Sequence, residues 1–156
     1  MPMDKALIDT LGDELYDALT RVHVVEPLTN RYPAITNEDA YGIQRRMIER
    51  RTAAGERVIG KKIGVTSEAV QKMLDVDQPD FGILLDTMHH DDGAQVSLAK
   101  NRLQQPRAEG EIAFILGKDL ATSGVTREQV MDATQYVLPC FEIVDSRVRD
   151  WKIRIQ

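Results

Sequence analysis

A single cysteine, Cys140, occurs among 156 residues. That excludes an internal disulfide and any zinc site built from several cysteines, so a metal here has to be held mainly by oxygen or histidine ligands. Long hydrophobic runs are missing too. Stretches such as residues 112–116 reach about a quarter of the roughly 20 residues that cross a bilayer, and the N-terminus has no basic-then-apolar leader. The reading is a cytoplasmic protein with no membrane partner. A surplus of positive charge is also lacking: 20 Lys and Arg stand against 25 Asp and Glu, a net charge of −5, which disfavours nucleic acid as a partner. No repeat, low-complexity tract or linker interrupts the chain. What remains, 42% apolar and 29% charged, is an ordinary globular composition in a chain long enough for one domain with a core.

From Asp4 to about His23, Leu7, Ile8, Leu11, Leu15, Leu19 and Val22 recur at spacings of three and four, which predicts one face of a helix. Pro27, Asn30 and Pro33 mark a loop, and Thr36 or Asn37 caps a second helix carrying Ala40, Ile43, Met47 and Ile48, stopped by Gly55. Val58, Ile59, Ile63 and Val65, set among Gly60 and Gly64, predict a strand that bends at its glycines. Ser67 caps a short helix using Val70, Met73 and Leu74. A strand is expected over 81–88, then a turn at Asp91, Asp92 and Gly93 and a return strand around Val96. Residues 108–116 predict a strand closed by a turn at 117–119. Thr126 with Gln129 is a capping box for a helix with Val130 and Ala133, and 137–144 is another apolar strand. Trp151, Ile153 and Ile155 alternate with Lys152 and Arg154 as in a half-buried strand. The whole reads as an α+β unit, with a helical region over 1–56 and a β-rich region over 57–156.

Alternate side chains of a strand share a face, so Glu109 and Glu111 point the same way while Ile112 and Phe114 point the other. Carboxylates with Cβ atoms about 7 Å apart repel unless water or a cation lies between them, and Gly110 leaves room for close approach. A hard divalent cation, magnesium or manganese, suits such a site. Glu142 is the natural third ligand, since it stands inside an apolar run where an unpaired carboxylate costs several kcal/mol. On spacing alone a second reading stays open: Glu109 and Glu111 line a solvated face and Glu142 pairs with an arginine such as Arg147.

Lys61 and Lys62 fall on opposite faces of their strand, so at most one faces inward, where it binds a carboxylate or moves protons; an exposed pair at a sheet edge is the alternative. Asp80, between Pro79 and Phe81, is either a turn former or a general base. Gly55 to Lys61 copies the start of a Walker A pattern, but Lys62 replaces the required Ser or Thr and the segment reads as a strand, so a nucleotide site is rejected. His89 and His90 read as a solvated turn, and Cys140 as a small buried hydrophobe.

Four segments carry a resemblance: Ile59-Gly-Lys-Lys-Ile-Gly-Val-Thr-Ser67, Gln78-Pro-Asp-Phe-Gly82, Gln105-Pro-Arg-Ala-Glu-Gly-Glu-Ile-Ala-Phe114 and Pro139-Cys-Phe-Glu-Ile-Val-Asp-Ser-Arg147. Together, and over the whole chain, they closely resemble the hydratase and decarboxylase branch of the fumarylacetoacetate hydrolase superfamily, enzymes of the meta-cleavage of aromatic compounds. The resemblance implies N-terminal helices followed by part of a mixed β-roll whose C-terminal half is missing, since relatives continue well past Gln156. It implies a magnesium or manganese site of Glu109, Glu111 and Glu142, with Lys62 and Asp80 as catalytic residues beside the substrate and no organic cofactor. The implied reaction is addition of water to 2-hydroxypenta-2,4-dienoate, giving 4-hydroxy-2-oxopentanoate, in a homo-oligomer and in company with the sister decarboxylase. Pro106-Arg107 and Gly110-Glu111 stand where that sister usually reads Pro-Lys and Ala-Glu, which favours the hydratase. The alternatives are decarboxylation of 4-oxalocrotonate and an inactive, self-associating fragment.

Overall fold

Helix α1, Lys5–Arg21, begins where the side chain of Asp4 accepts the amide of Leu7 and ends at Val22, whose backbone turns left-handed at φ 54°. It packs on α3, Asn37–Ala53, whose start is a reciprocal capping box between Thr36 and Asp39. The computed structural model describes residues 3–74 and 76–153. They form two compact units, one running to Gln105 and resuming at Ser146, the other Pro106–Asp145.

The core of the first unit is the α1–α3 seam. Leu11, Ile35 and Ile43 are buried there, with Leu7, Ile8, Leu15 and Tyr32 packed around them. The helices approach closely at Gly12, where a Cβ would stand 2.5 Å from Cβ of Arg46 and 2.9 Å from the carbonyl of Ile43. Polar groups close the seam. Arg46 donates to both oxygens of Asp13 at 2.8 and 3.0 Å, and Arg50 adds a third bond at 2.9 Å. Arg51, 7% exposed, donates to both oxygens of Glu56 and to the Thr87 hydroxyl, so the end of α3 is tied to the loop after the first sheet. A buried charge is tolerated because it is paired and multiply hydrogen-bonded.

The loop expected at residues 27–33 contains a one-turn helix α2, Leu28–Arg31. Strand β1, Val58–Gly64, and strand β2, Asp80–Leu85, pair antiparallel, with α4, Glu68–Leu74, between them. β2 is shorter than the expected 81–88: residues 86–88 form a 3₁₀ turn because the Asp86 carboxylate accepts the amides of Arg57 and Thr87 and so breaks the ladder. No strand forms around Val96 either; the segment turns at Ser97, whose carbonyl and hydroxyl take the amides of Asn101 and Lys100. Trp151 lies in a 3₁₀ turn, not a strand, and its indole N–H donates to the carbonyl of Gln105 at 2.9 Å; Arg154 and Ile155 lie outside the described residues.

In the second unit β3, Arg107–Leu116, pairs antiparallel with β4, Thr134–Val144, and α5, Arg127–Ala133, joins them. The Thr126–Gln129 capping box forms as the sequence predicts. β4 starts three residues ahead of the expected Val137 because the sheet takes over directly from α5, whose last turn is closed by the Thr134 hydroxyl bonding to the carbonyl of Val130. The fold is thus mixed helix and strand, and no helix among the described residues is long and apolar enough to cross a membrane.

Candidate functional site

Register decides the first cluster. Glu109 sits directly opposite Glu142 across the β3–β4 ladder, and Glu111 opposite Cys140, so all four side chains share one face. One carboxylate oxygen from each of Glu109, Glu111 and Glu142 lies within 4.8 Å of the others. Like charges directly across a ladder destabilise it, and here a third carboxylate is added to the pair. Among the described residues it is the sole grouping of three metal-ligating side chains, and its donors are oxygen only. That donor chemistry fits a hard divalent cation and fits zinc or copper poorly. The free thiol of Cys140 is half-buried beside the cluster and outside it.

The second cluster belongs to the first unit. Lys62 pairs with Gly82 and Asp80 with Gly64 in the β1–β2 register, which puts both charged side chains and both glycines on one face. Lys62 is half-buried while Lys61 is exposed, so the inward member of the pair is Lys62. Each charged side chain lies over the glycine opposite. A Cβ at Gly82 would meet Lys62 Cγ at 2.8 Å, and one at Gly64 would collide with the Asp80 carboxylate. Asp80 Oδ1 is buried and has no hydrogen-bond partner among the described residues, a costly state for a carboxylate oxygen unless a proton or ligand completes it. Just beyond β1, Val65 is held at φ 55°, a strained conformation for a β-branched residue, where its carbonyl accepts from Gln71 at 2.9 Å.

Lys62 and Asp80 line a cavity of about 180 Å³ with Tyr41, Gln44, Phe81 and Gly82. Tyr41 and Gln44 were not legible as site residues, since nothing local to α3 marks them. The glycines were legible in principle: Lys62-x-Gly64 and Asp80-x-Gly82 are mirror-image spacings that antiparallel pairing brings into register. The remaining candidates fall away on geometry. His89 and His90 are exposed, and His90 Nε2 lies 3.0 Å from the Asn101 amide. Residues 58–61 are strand, with no loop to cradle a phosphate.

A mixed helix and strand chain carrying three carboxylate oxygens on one sheet face has the donor set of a hard divalent cation site, and comparison with known proteins points the same way. It is 61% identical over 153 residues to the 2-hydroxyhexa-2,4-dienoate hydratase of Comamonas testosteroni, covering 98% of this chain and 58% of that protein. It is 62% identical over 154 residues to the 2-hydroxypent-2,4-dienoate hydratase of Pseudomonas putida, covering 99% of this chain and 69% of that one. The chain belongs to the 2-hydroxypent-2,4-dienoate hydratase family. It spans between about half and two thirds of the length of the curated relatives it matches. Among solved structures it is similar to the 4-oxalocrotonate decarboxylase of Pseudomonas putida G7 in complex with magnesium and adipate, with a TM-score of 0.90 at 30% identity, covering 97% of this chain and 57% of that one. The same decarboxylase with calcium and acetate gives 0.87 at 31% identity. No protein-family profile matches the chain.

Proposed function

We propose that this chain carries the metal ligands and proton-handling residues of a hydro-lyase that adds water to 2-hydroxypenta-2,4-dienoate, giving 4-hydroxy-2-oxopentanoate. The observation that carries the reading is the convergence of Glu109, Glu111 and Glu142 within 4.8 Å on one sheet face, in a chain 61–62% identical to named hydratases. Those three carboxylates would hold magnesium or manganese. When bound, the cation supplies Lewis acidity toward the oxygens of a 2-oxo acid.

The rest is done by the chain's own groups. The Lys62 ammonium, held over Gly82, is assigned to binding a negatively charged oxygen of the substrate. The Asp80 carboxyl, with one buried oxygen unpartnered among the described residues, is assigned to delivering a proton to the far carbon of the dienol and to taking one from the water that adds at C4. A proton adds at the far carbon C5, the hydroxyl of water adds at C4, the proton released by that water returns to Asp80, and the 2-hydroxyl proton passes to C3 as the 2-oxo group forms, so one water is gained overall. A completed β-roll, a homo-oligomer and association with the sister decarboxylase belong to the same family reading. Hydration is favoured over decarboxylation because the relatives at 61–62% identity are hydratases, whereas the decarboxylase is matched at 30%.

The test is spectroscopic. With magnesium, 2-hydroxypenta-2,4-dienoate should lose its conjugated ultraviolet absorbance while 4-oxalocrotonate releases no carbon dioxide. Decarboxylation without hydration would assign the sister reaction. A second reading, an inactive self-associating chain, is favoured by one observation: Ile112, Phe114, Val137 and Phe141 are 54–80% exposed on the face of β3–β4 that carries no carboxylates. A monodisperse, active monomer in light scattering would contradict it.

A further inference from the structure

β2 belongs to a two-stranded sheet, so its outer edge presents backbone groups that need partners. At Phe81 both are taken by α3. The amide of Phe81 donates to the Tyr41 hydroxyl at 3.3 Å, and its carbonyl accepts from the Gln44 amide at 3.1 Å. Tyr41 and Gln44 are three residues apart, one above the other on a single helix face. Phe81 is the residue between Asp80 and Gly82, so the two side chains grip the backbone at the point where the Asp80 carboxylate and the seat of the Lys62 stem are both set. The same two side chains line the cavity into which that segment faces.

We infer that Tyr41 and Gln44 are positioning residues: by holding both backbone groups of Phe81 they fix where the Asp80 carboxylate and the Lys62 ammonium stand. The inference rests on the roles proposed above for those two residues, proton transfer for Asp80 and binding of a substrate oxygen for Lys62. Edge protection alone needs only that the strand be covered, and a charged or bulky side chain does that. A paired donor and acceptor from one rigid helix, aimed at one residue, instead fixes position along the strand as well as across it. A misplacement of about 1 Å at such a site costs up to about 10²-fold in rate.

The experiment uses the full-length gene product with magnesium. Tyr41→Phe and Gln44→Met, singly and together, are expected to lower kcat by about tenfold or more, with KM within about twofold and magnesium affinity unchanged by calorimetry. Introduced into an Asp80→Glu, Lys62→Arg background, where both charged groups are already displaced, the pair should cost less than about threefold, because substitutions acting through the same residues are not additive. An unchanged kcat overturns the inference, and so does an equal loss in both backgrounds, which marks a structural role. If the double variant does not fold, the single variants decide by the same comparison. Wild-type turnover in Lys62→Met and Asp80→Asn would instead overturn the substrate-binding and proton-transfer roles themselves. Loss of turnover in those two, with Tyr41→Phe and Gln44→Met unaffected, would overturn the positioning role alone.

Discussion

Lys62 runs over the bare α-carbon of Gly82: a Cβ there would stand 2.8 Å from Cγ, 3.3 Å from Cδ and 3.4 Å from Cε of the lysine. Because the pair sits in register across β1 and β2, the glycine is what lets a long charged side chain lie flat against the sheet. Gly82→Ala is therefore expected to keep the strand and displace the ammonium. Turnover should fall by up to about 10²-fold, as misplacement of a reacting group does, with the far-ultraviolet circular dichroism unchanged. Wild-type kinetics in this variant would remove Lys62 from the site.

Gly12 makes a different demand, since its missing side chain lets α1 and α3 touch. A Cβ would fall 2.5 Å from Cβ of Arg46 and 2.9 Å from the Ile43 carbonyl, neither of them a flexible end. Gly12→Ala should cost about 1–3 kcal/mol through overpacking, or a fall in Tm of roughly 2–12 °C at about 2–4 °C per kcal/mol. Manganese affinity should stay unchanged. An unaltered melting curve would mean that the seam can open at no cost.

These two glycines also mark how far the sequence alone could be read. Helices α1 and α3 were legible because Leu11, Ile43 and their neighbours repeat at helical spacing and, for α3, because Thr36 or Asn37 offers a cap. The acidic triad was legible for β3, where Glu109 and Glu111 share a face by strand geometry alone. That Glu142 stands opposite Glu109 is a matter of register, which is set by pairing across 33 positions and has no local signature. The same holds for the grip of Tyr41 and Gln44 on Phe81. The expected strands at residues 86–88 and around Val96 failed for a local reason: the side chains of Asp86 and Ser97 capture backbone amides that a strand would need.

Acid should loosen the first unit. Hydrogen bonds from Arg46 and Arg50 hold the Asp13 carboxyl below its usual range, and those from Thr36 and Met3 do the same for Asp39. Burial pushes Glu56 up, but Arg51 and Thr87 outweigh it and leave it lowered. A carboxyl whose folded pKa is depressed contributes stability that is present above its unfolded value, about 4, and is lost as pH falls through the lower folded one. The Tm should accordingly drop between about pH 5 and about pH 3, and Asp39→Asn should flatten that slope. A flat Tm across the same range in the wild type would contradict these pairings.

The central claim is that Glu109, Glu111 and Glu142 together hold a divalent cation, and isothermal titration of manganese and magnesium into the wild type, Glu109→Gln and Glu142→Gln tests it most directly. A neutral amide is a poor ligand for a hard cation and removes the charge that draws it in, so the account predicts saturable binding of one ion in the wild type and loss of nearly all affinity in both variants. Wild-type affinity in Glu109→Gln and Glu142→Gln alike would contradict it.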